Sequence, residues 1–286
     1  MVVDVTDRSA AADLLPVGVL LAQPNGRVGA VNRAWCELSG LTRAASGGFG
    51  WLVGLQAIDR NDALSRVRDA AERGIKGVVD YRLDVAGQPR WTRWWICGSG
   101  DPSMPVAMAV ADVEADHEVQ ERLRHEATYD ALTGLMLRRP FFALLDHALR
   151  QNRHFSRPSV LYVDLDNFKE INDAHGHIVG DELLVTFAGA LTGAVRPEDM
   201  VARVGGDEFA VLCSTLEASE DAVTIAGRID AALALPLSVK GLQLRAAASI
   251  GIAIAEPGDD PQKLLERADR AMYQAKRMRL AARQLR

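Results

Sequence analysis

Short apolar runs alternate along the chain with turn-forming clusters and two-faced polar stretches. Residues 17–22 read as a strand, 24–27 as a turn and 28–31 as the partner strand. Asn32 then stands before a short helix reaching Gly40, and asparagine is a favoured N-cap. Residues 77–85 and 89–97 predict two longer strands about a turn at Ala86-Gly87-Gln88, and 104–110 predict another. Residues 112–127 contain no proline or glycine and carry Val119, Leu123 and Ala127 four apart, which predicts a helix with one narrow apolar stripe. A single solvated linker helix has the same pattern. Residues 159–163 form a continuous apolar run of the buried-strand type. Further on, 201–204 and 209–212 flank Gly205-Gly206-Asp207-Glu208, which predicts a hairpin whose glycines accept the positive φ of a tight turn.

The chemistry gathers at the ends of these runs. The buried run at 159–163 leads into Asp164-Leu165-Asp166, and the hairpin presents Asp207 and Glu208. Acidic residues at the carboxyl end of a buried strand sit where α/β sheets place ligands. Hard oxygen donors of this kind suit Mg²⁺ held by one or two carboxylates together with substrate phosphates. Lys169, five positions beyond Asp164, is a mobile point charge suited to phosphate. Each cluster alone also has a structural reading: a solvated hairpin tip for Asp207 and Glu208, helix caps for Asp164 and Asp166. His175 and His177 have metal-pair spacing, but an aspartate-rich Mg²⁺ site needs no imidazole.

Taken together, the motifs resemble those of the GGDEF-domain diguanylate cyclases. The ordered segments are Asp130-Ala131-Leu132-Thr133-Gly134-Leu135, Asp164-Leu165-Asp166-Asn167-Phe168-Lys169, and Asn172-Asp173-Ala174-His175-Gly176-His177-Ile178-Val179-Gly180-Asp181. They continue with Ala202-Arg203-Val204-Gly205-Gly206-Asp207-Glu208-Phe209, Ser249-Ile250-Gly251-Ile252-Ala253 and Ala268-Asp269-Arg270-Ala271-Met272-Tyr273-Gln274-Ala275-Lys276. The resemblance implies an enzyme that condenses two GTP molecules into cyclic di-GMP and two pyrophosphates across a homodimer. It implies that Asp164, Asp207 and the backbone carbonyl of Leu165 hold Mg²⁺, with Mn²⁺ as the alternative ion. Asp207 or Glu208 would favour loss of the ribose 3′-hydroxyl proton, and Lys169 would stabilise charge on the triphosphate. Asn167, Phe168 and Lys276 would join the substrate site. Asn172 and Asp181 would read guanine, Asp181 as a buried carboxylate accepting N1–H and the exocyclic amine, a donor pair that adenine lacks. A turn residue and a helix cap are the structural reading of those two positions. The family pattern makes His177 a loop-ordering residue.

Arg196 and Asp199 match the family's product-inhibition pattern, with Arg228 as a further contact, so the resemblance also implies inhibition by cyclic di-GMP. A surface ion pair is the plainer reading. Two positions depart from the pattern. Leu280 stands where an arginine helps hold terminal phosphates, with Arg277 and Arg279 nearby, and Leu137 stands where asparagine is usual.

Composition bounds the rest. The 286 residues suggest two domains. A net charge of −5 gives no basic footprint for nucleic acid. The apolar runs fall short of the roughly 20 residues needed to span a bilayer, and residues 1–8 lack the pattern of a signal peptide. Three scattered cysteines fit a reducing compartment, so the expectation is a cytoplasmic protein without membrane partners. All five tryptophans precede residue 100 and all six histidines follow residue 116, which places a boundary near 112–128.

The first half resembles a PAS sensor domain, without a haem or flavin signature: no histidine precedes His117, and Cys36 and Cys97 lack the light-sensor motif. Trp91, Trp94 and Trp95 would line a pocket, fill the core or cover a dimer surface. The expected architecture is α+β in two domains. A PAS-like antiparallel sheet with flanking helices occupies 1–111, a helical linker 112–128, and a cyclase-like central sheet surrounded by helices 129–286. Two other functions fit the sequence: a catalytically weak or inactive receptor for cyclic di-GMP or GTP, and a PAS-driven interaction module.

Overall fold

The computed structural model describes residues 11–85, 87–101, 103–151, 157–213, 219–234 and 236–284. Ala86 of the expected turn and residues 1–8 lie outside them. The chain divides into two compact units, Met1–Arg122 and Leu123–Arg286.

The first unit is a five-stranded antiparallel sheet: β1 (Gly18–Ala22), β2 (Val28–Val31), β3 (Lys76–Val85), β4 (Gln88–Cys97) and β5 (Val106–Asp112), in the order β2-β1-β5-β4-β3. Its helices are α1 (Arg33–Ser39), α2 (Arg43–Ser46) and α3 (Arg60–Arg73). The expected Asn32 cap forms. Its Oδ1 accepts from Trp35 N at 2.9 Å and from Val19 N at 2.7 Å, while Nδ2 donates to the Val17 carbonyl, so one buried amide caps α1 and ties it to β1. The last strand starts two residues later than its apolar run suggests. Met104 N is spent in a turn on the Asp101 carbonyl, and pairing of Val110 with Gly18 sets the register.

Strand alternation separates the tryptophans. Trp94 packs in the core with Trp35 and Trp51, ring centroids 5.5 and 5.7 Å away, and each of the three is fully buried. Their indole N–H groups donate to Thr92, Ser46 and the Gly26 carbonyl, so no polar atom of the three is stranded. Trp91 and Trp95 point to the opposite face. Trp91 stacks on His117 of α4 (Glu114–Thr128) at 4.5 Å, and Asp80 joins Arg93 to His117. These contacts fasten the start of α4 to the sheet.

In the second unit a central sheet runs β12-β7-β9-β8-β6, antiparallel except for the short β6–β8 pair. Its strands are β6 (Met136–Leu137), β7 (Ser159–Leu165), β8 (Met200–Arg203), β9 (Glu208–Cys213) and β12 (Ala248–Ile254), while β10 (Leu237–Val239) and β11 (Leu242–Leu244) form a separate ribbon. Its helices are α5 (Arg138–Gln151), α6 (Phe168–His175), α7 (His177–Ala194), α8 (Ser219–Ala234) and α9 (Pro261–Gln284). Every residue of β7 is buried because both sheet faces are covered. Leu161, Val163 and Leu165 join the cluster formed with α7 and α8, and Val160 and Tyr162 join the one formed with α5 and α9. The β7 pattern predicted a strand ending at 163, but Asp164 and Leu165 continue it, each paired to β12. Asp164 therefore lies on the α9 face of the sheet, directly opposite Glu208 of β9.

Candidate active site

The hairpin forms, but with a four-residue connection, 204–207, in place of a two-residue turn. Neither Gly205 nor Gly206 takes a positive φ. Two donors converge instead, Val204 N and Gly205 N both reaching the Glu208 carbonyl at 2.9 and 3.2 Å. The missing side chain at 205 instead leaves room for that of Glu208. A Cβ there would overlap Glu208 Oε2 and lie 3.2 Å from the Glu208 Cβ. Arg203 pins the loop from outside. Its Nε and one terminal nitrogen donate to the Gly206 carbonyl at 3.0 and 2.7 Å, and its other terminal nitrogen reaches Asp130 at 3.0 Å. Burial alone would raise Asp130. Hydrogen bonds from the Thr133 hydroxyl and amide and from Arg203 outweigh it and hold the carboxyl below its ordinary range.

The loop is also stitched to β7, since Leu165 N donates to the Asp207 carbonyl at 3.1 Å. Asp164 is 7% exposed and accepts from Lys276 Nζ at 2.6 Å. Burial raises its carboxyl above the ordinary range; Lys276 opposes the rise, and Asp207 and Asp166 add to it. Lys276, a third exposed, is raised as well, for a different reason. Burial would lower it, but the Asp164 contact prevails and raises it. Both are raised: burial dominates for the deeper acid, and the carboxylate contact dominates for the more exposed base. Lys276 thus stands where a cation relieves a crowded carboxylate.

Asp166 and Asp164 are not helix caps: Asn167, at φ 61°, takes the N-cap position of α6 and makes no side-chain cap. Asp166 uses one oxygen on the Ser249 hydroxyl, at 2.8 Å, and the other faces Arg279 at 3.7 Å. Asn167, Lys276, Arg279, Leu280 and Asp166 line one small cleft. Lys169 is exposed, and Phe168 packs against the core. Glu208 Oε2 accepts from the Tyr162 hydroxyl at 3.2 Å, and burial, then Glu208, push that phenol above its ordinary range.

Asn172 and Asp181 lie on consecutive helices, and neither is a turn residue or a cap. Gly180 makes room for Asn172 between the two helices: a Cβ there would overlap Asn172 Oδ1 and lie 2.8 Å from its Cγ. Oδ1 is buried without a partner. Asp181 is exposed, not buried. It stands on the outer side of α7, open to water. His177 opens α7 and does not belong to a loop.

Away from this cluster, Asp199 accepts from Arg196 N at 3.0 Å and returns its own N–H to the Arg196 carbonyl, which closes a turn. Asp199 is 9% exposed, so the pair is no simple surface bridge. It lies against Cys213, whose thiol is pushed up to about 12 by burial, then by Asp199. Arg228 is exposed on α8.

Sequence reasoning gave no role to Arg203, Asp130, Tyr162 or Ser249. Among the described residues no group of three or more His, Cys, Asp or Glu side chains is arranged to hold a metal by itself. Two carboxylates beside phosphates are nevertheless an ordinary Mg²⁺ environment.

This sheet and its carboxylate-bearing hairpin define a class that comparison with known proteins identifies. Residues 127–280 match the family described as diguanylate cyclase, GGDEF domain, and 9–73 match a PAS domain. The chain belongs to the GGDEF-domain family. It is 45% identical over 166 residues to the diguanylate cyclase TpbB of Pseudomonas aeruginosa, covering 57% of this chain and 38% of that protein. It is 36% identical over 168 residues to the diguanylate cyclase DgcM of Escherichia coli, covering 58% of this chain and 40% of that one. The chain therefore spans about two fifths of the length of these relatives. The solved GGDEF domain of TpbB superposes with a TM-score of 0.51 at 44% identity, covering 52% of this chain and 89% of that one. The coiled coil and GGDEF domain of DgcB from Caulobacter crescentus, solved with cyclic di-GMP, gives 0.53 at 30%, covering 58% and 88%. No helix among the described residues is long and apolar enough to cross a membrane.

Proposed function

We propose that the chain is a diguanylate cyclase that condenses two GTP into cyclic di-GMP and two pyrophosphates. The observation that carries this reading is Asp164. It is a buried carboxylate at a strand end, crowded by Asp166 and Asp207, and satisfied by one displaceable ammonium. Asp164, Asp207 and the Leu165 carbonyl would hold Mg²⁺, or Mn²⁺. When bound, the ion supplies charge neutralisation at the reacting phosphate and the leaving pyrophosphate. Lys276, released from Asp164, and the exposed Lys169 turn to the phosphates. Asn167 and the Phe168 backbone border them.

The 3′-oxygen of one GTP bonds to the α-phosphorus of the other, the bond to pyrophosphate breaks, and the 3′-hydroxyl proton passes toward Asp207 or Glu208. A second such exchange closes the ring. Asn172 Oδ1, buried without a donor, and the adjacent Asp181 suit the N–H edge of guanine.

Both bonds require two GTP sites face to face, hence a homodimer. Val119 and Leu123, 42% and 57% exposed, give α4 an apolar stripe with which to pair. We assign 1–111 as sensor, 112–128 as linker and 129–286 as cyclase. The Trp91–His117 stack gives the sensor a grip on the linker, through which it would set dimer geometry.

Incubating the full chain with GTP and Mg²⁺ and separating the nucleotides should yield cyclic di-GMP and two pyrophosphates per product, with ATP left unused. No cyclic di-GMP from the wild type overturns the reading. Product binding at Arg196, Asp199 and Arg228 would then limit the rate. Arg196→Ala should weaken binding of added cyclic di-GMP by about tenfold or more, as for a lost charge-assisted contact. Unchanged binding by calorimetry would show that the site is misassigned.

A further inference from the structure

We propose that Arg279 is a terminal-phosphate ligand of the substrate cleft and that Asp230 competes with the nucleotide for it. This rests on the cyclase reading and adds a residue and a restraint to it. Positions 276, 279 and 280 are neighbours on one face of α9, three and four residues apart. Lys276, Arg279 and Leu280 all line the cleft beside Asn167. The two cations are held differently. Lys276 is bound to Asp164, whose side chain is 9% exposed. The Arg279 guanidinium, 39% exposed, reaches Asp230 of α8 at 2.7 Å, and Asp230 is 49% exposed.

An ion pair this open to water contributes little and is easily exchanged. The second partner, Asp166, is buried but 3.7 Å away, with its other oxygen given to Ser249. Asp166 therefore keeps the guanidinium at the cleft without saturating it. A phosphate offers two coplanar acceptors and more negative charge, which the planar fork of arginine accepts better than it does a hydrated carboxylate. Leu280 supplies no charge, so Arg279 is the basic group at this end of the cleft. In the free protein Asp230 draws it toward α8; triphosphate draws it back.

The test measures binding to the full chain, by calorimetry with Mg²⁺, of a GTP analogue with an α,β-methylene bridge and of GMP. The proteins are the wild type, Arg279→Ala, Arg279→Lys, Asp230→Asn and the Arg279→Ala/Asp230→Asn double variant. Arg279→Ala should weaken the analogue about tenfold or more and GMP less than about twofold, with Arg279→Lys between. Asp230→Asn should tighten the analogue by about two- to fivefold and have no effect once Arg279 is absent. Equal analogue binding by wild type and Arg279→Ala, or an equal loss for GMP, overturns the role of Arg279. Weaker binding by Asp230→Asn, or a gain that survives in the double variant, overturns the competition. A wild type that binds neither nucleotide overturns both this inference and the cyclase reading, and is thereby distinct from the other outcomes.

Discussion

Asp164→Asn should lower cyclic di-GMP synthesis by about a thousandfold or more, because in the proposed site it removes one of the two carboxylates that would hold the cation, a contribution of several kcal/mol. The same substitution should leave the fold standing. Asp164 is raised above its ordinary value, chiefly by burial. A carboxyl raised in the folded state binds its proton more tightly there than in the unfolded chain. Its contribution to stability is therefore favourable at low pH, and is lost as pH rises through the ordinary carboxylate range to the raised value. At neutral pH the ionised group is a cost that asparagine does not carry. Lys276 loses its partner, but at a third exposed it can turn to water. The thermal midpoint at neutral pH should thus stay within a few degrees of wild type, and Mg²⁺ with nucleotide should raise it for the wild type alone. A variant that keeps a tenth of the activity, or unfolds at room temperature, would remove Asp164 from the assigned role.

The strands and the linker helix were legible because their information is local. The continuous apolar run of β7, the Asn32 cap and the proline-free stretch of α4 each lie within a short segment. Asp164 and Asp207 were legible as carboxylates at strand ends. Their joining came from the family resemblance and not from spacing, because it depends on the register that sets Asp164 against Glu208 and lets Leu165 N meet the Asp207 carbonyl. The glycine pair misled for the same reason: the pattern allowed a positive φ, whereas packing demanded only room for the Glu208 side chain at position 205. Exposure of Asp181 depends on how α7 lies on the sheet, and α7 carries too even an apolar pattern to reveal its outer side. Arg279 and Asp230 lie on different helices, and no spacing along the chain links them.

Gly251→Val should damage both stability and rate, and Gly251→Ala should do so to a lesser degree. Gly251 sits in β12 opposite Tyr162 of β7. A Cβ there would overlap the Ala268 carbonyl oxygen and Met272 N, and lie 2.7 Å from Met272 Cα. Those are backbone atoms of α9, so no side-chain rotation can relieve the clash and the helix must move. Overpacking of this kind costs about 1–3 kcal/mol for a small addition, more for a branched one. The functional loss follows from what α9 carries. Lys276 is one turn beyond Met272, and its ammonium meets Asp164 at 2.6 Å. A shift of about 1 Å at the reacting centre costs about a hundredfold in rate, so Gly251→Ala should lose about that factor in kcat while remaining folded. Gly189→Ala is the control: it lies in α7 with nothing within 4 Å of the added carbon, and should be neutral or stabilising by about 0.5–1 kcal/mol. Urea unfolding and single-turnover kinetics on the three variants separate the two effects. A Gly251→Ala protein with wild-type midpoint and rate would mean that α9 can retreat from the sheet without carrying Lys276 away from Asp164.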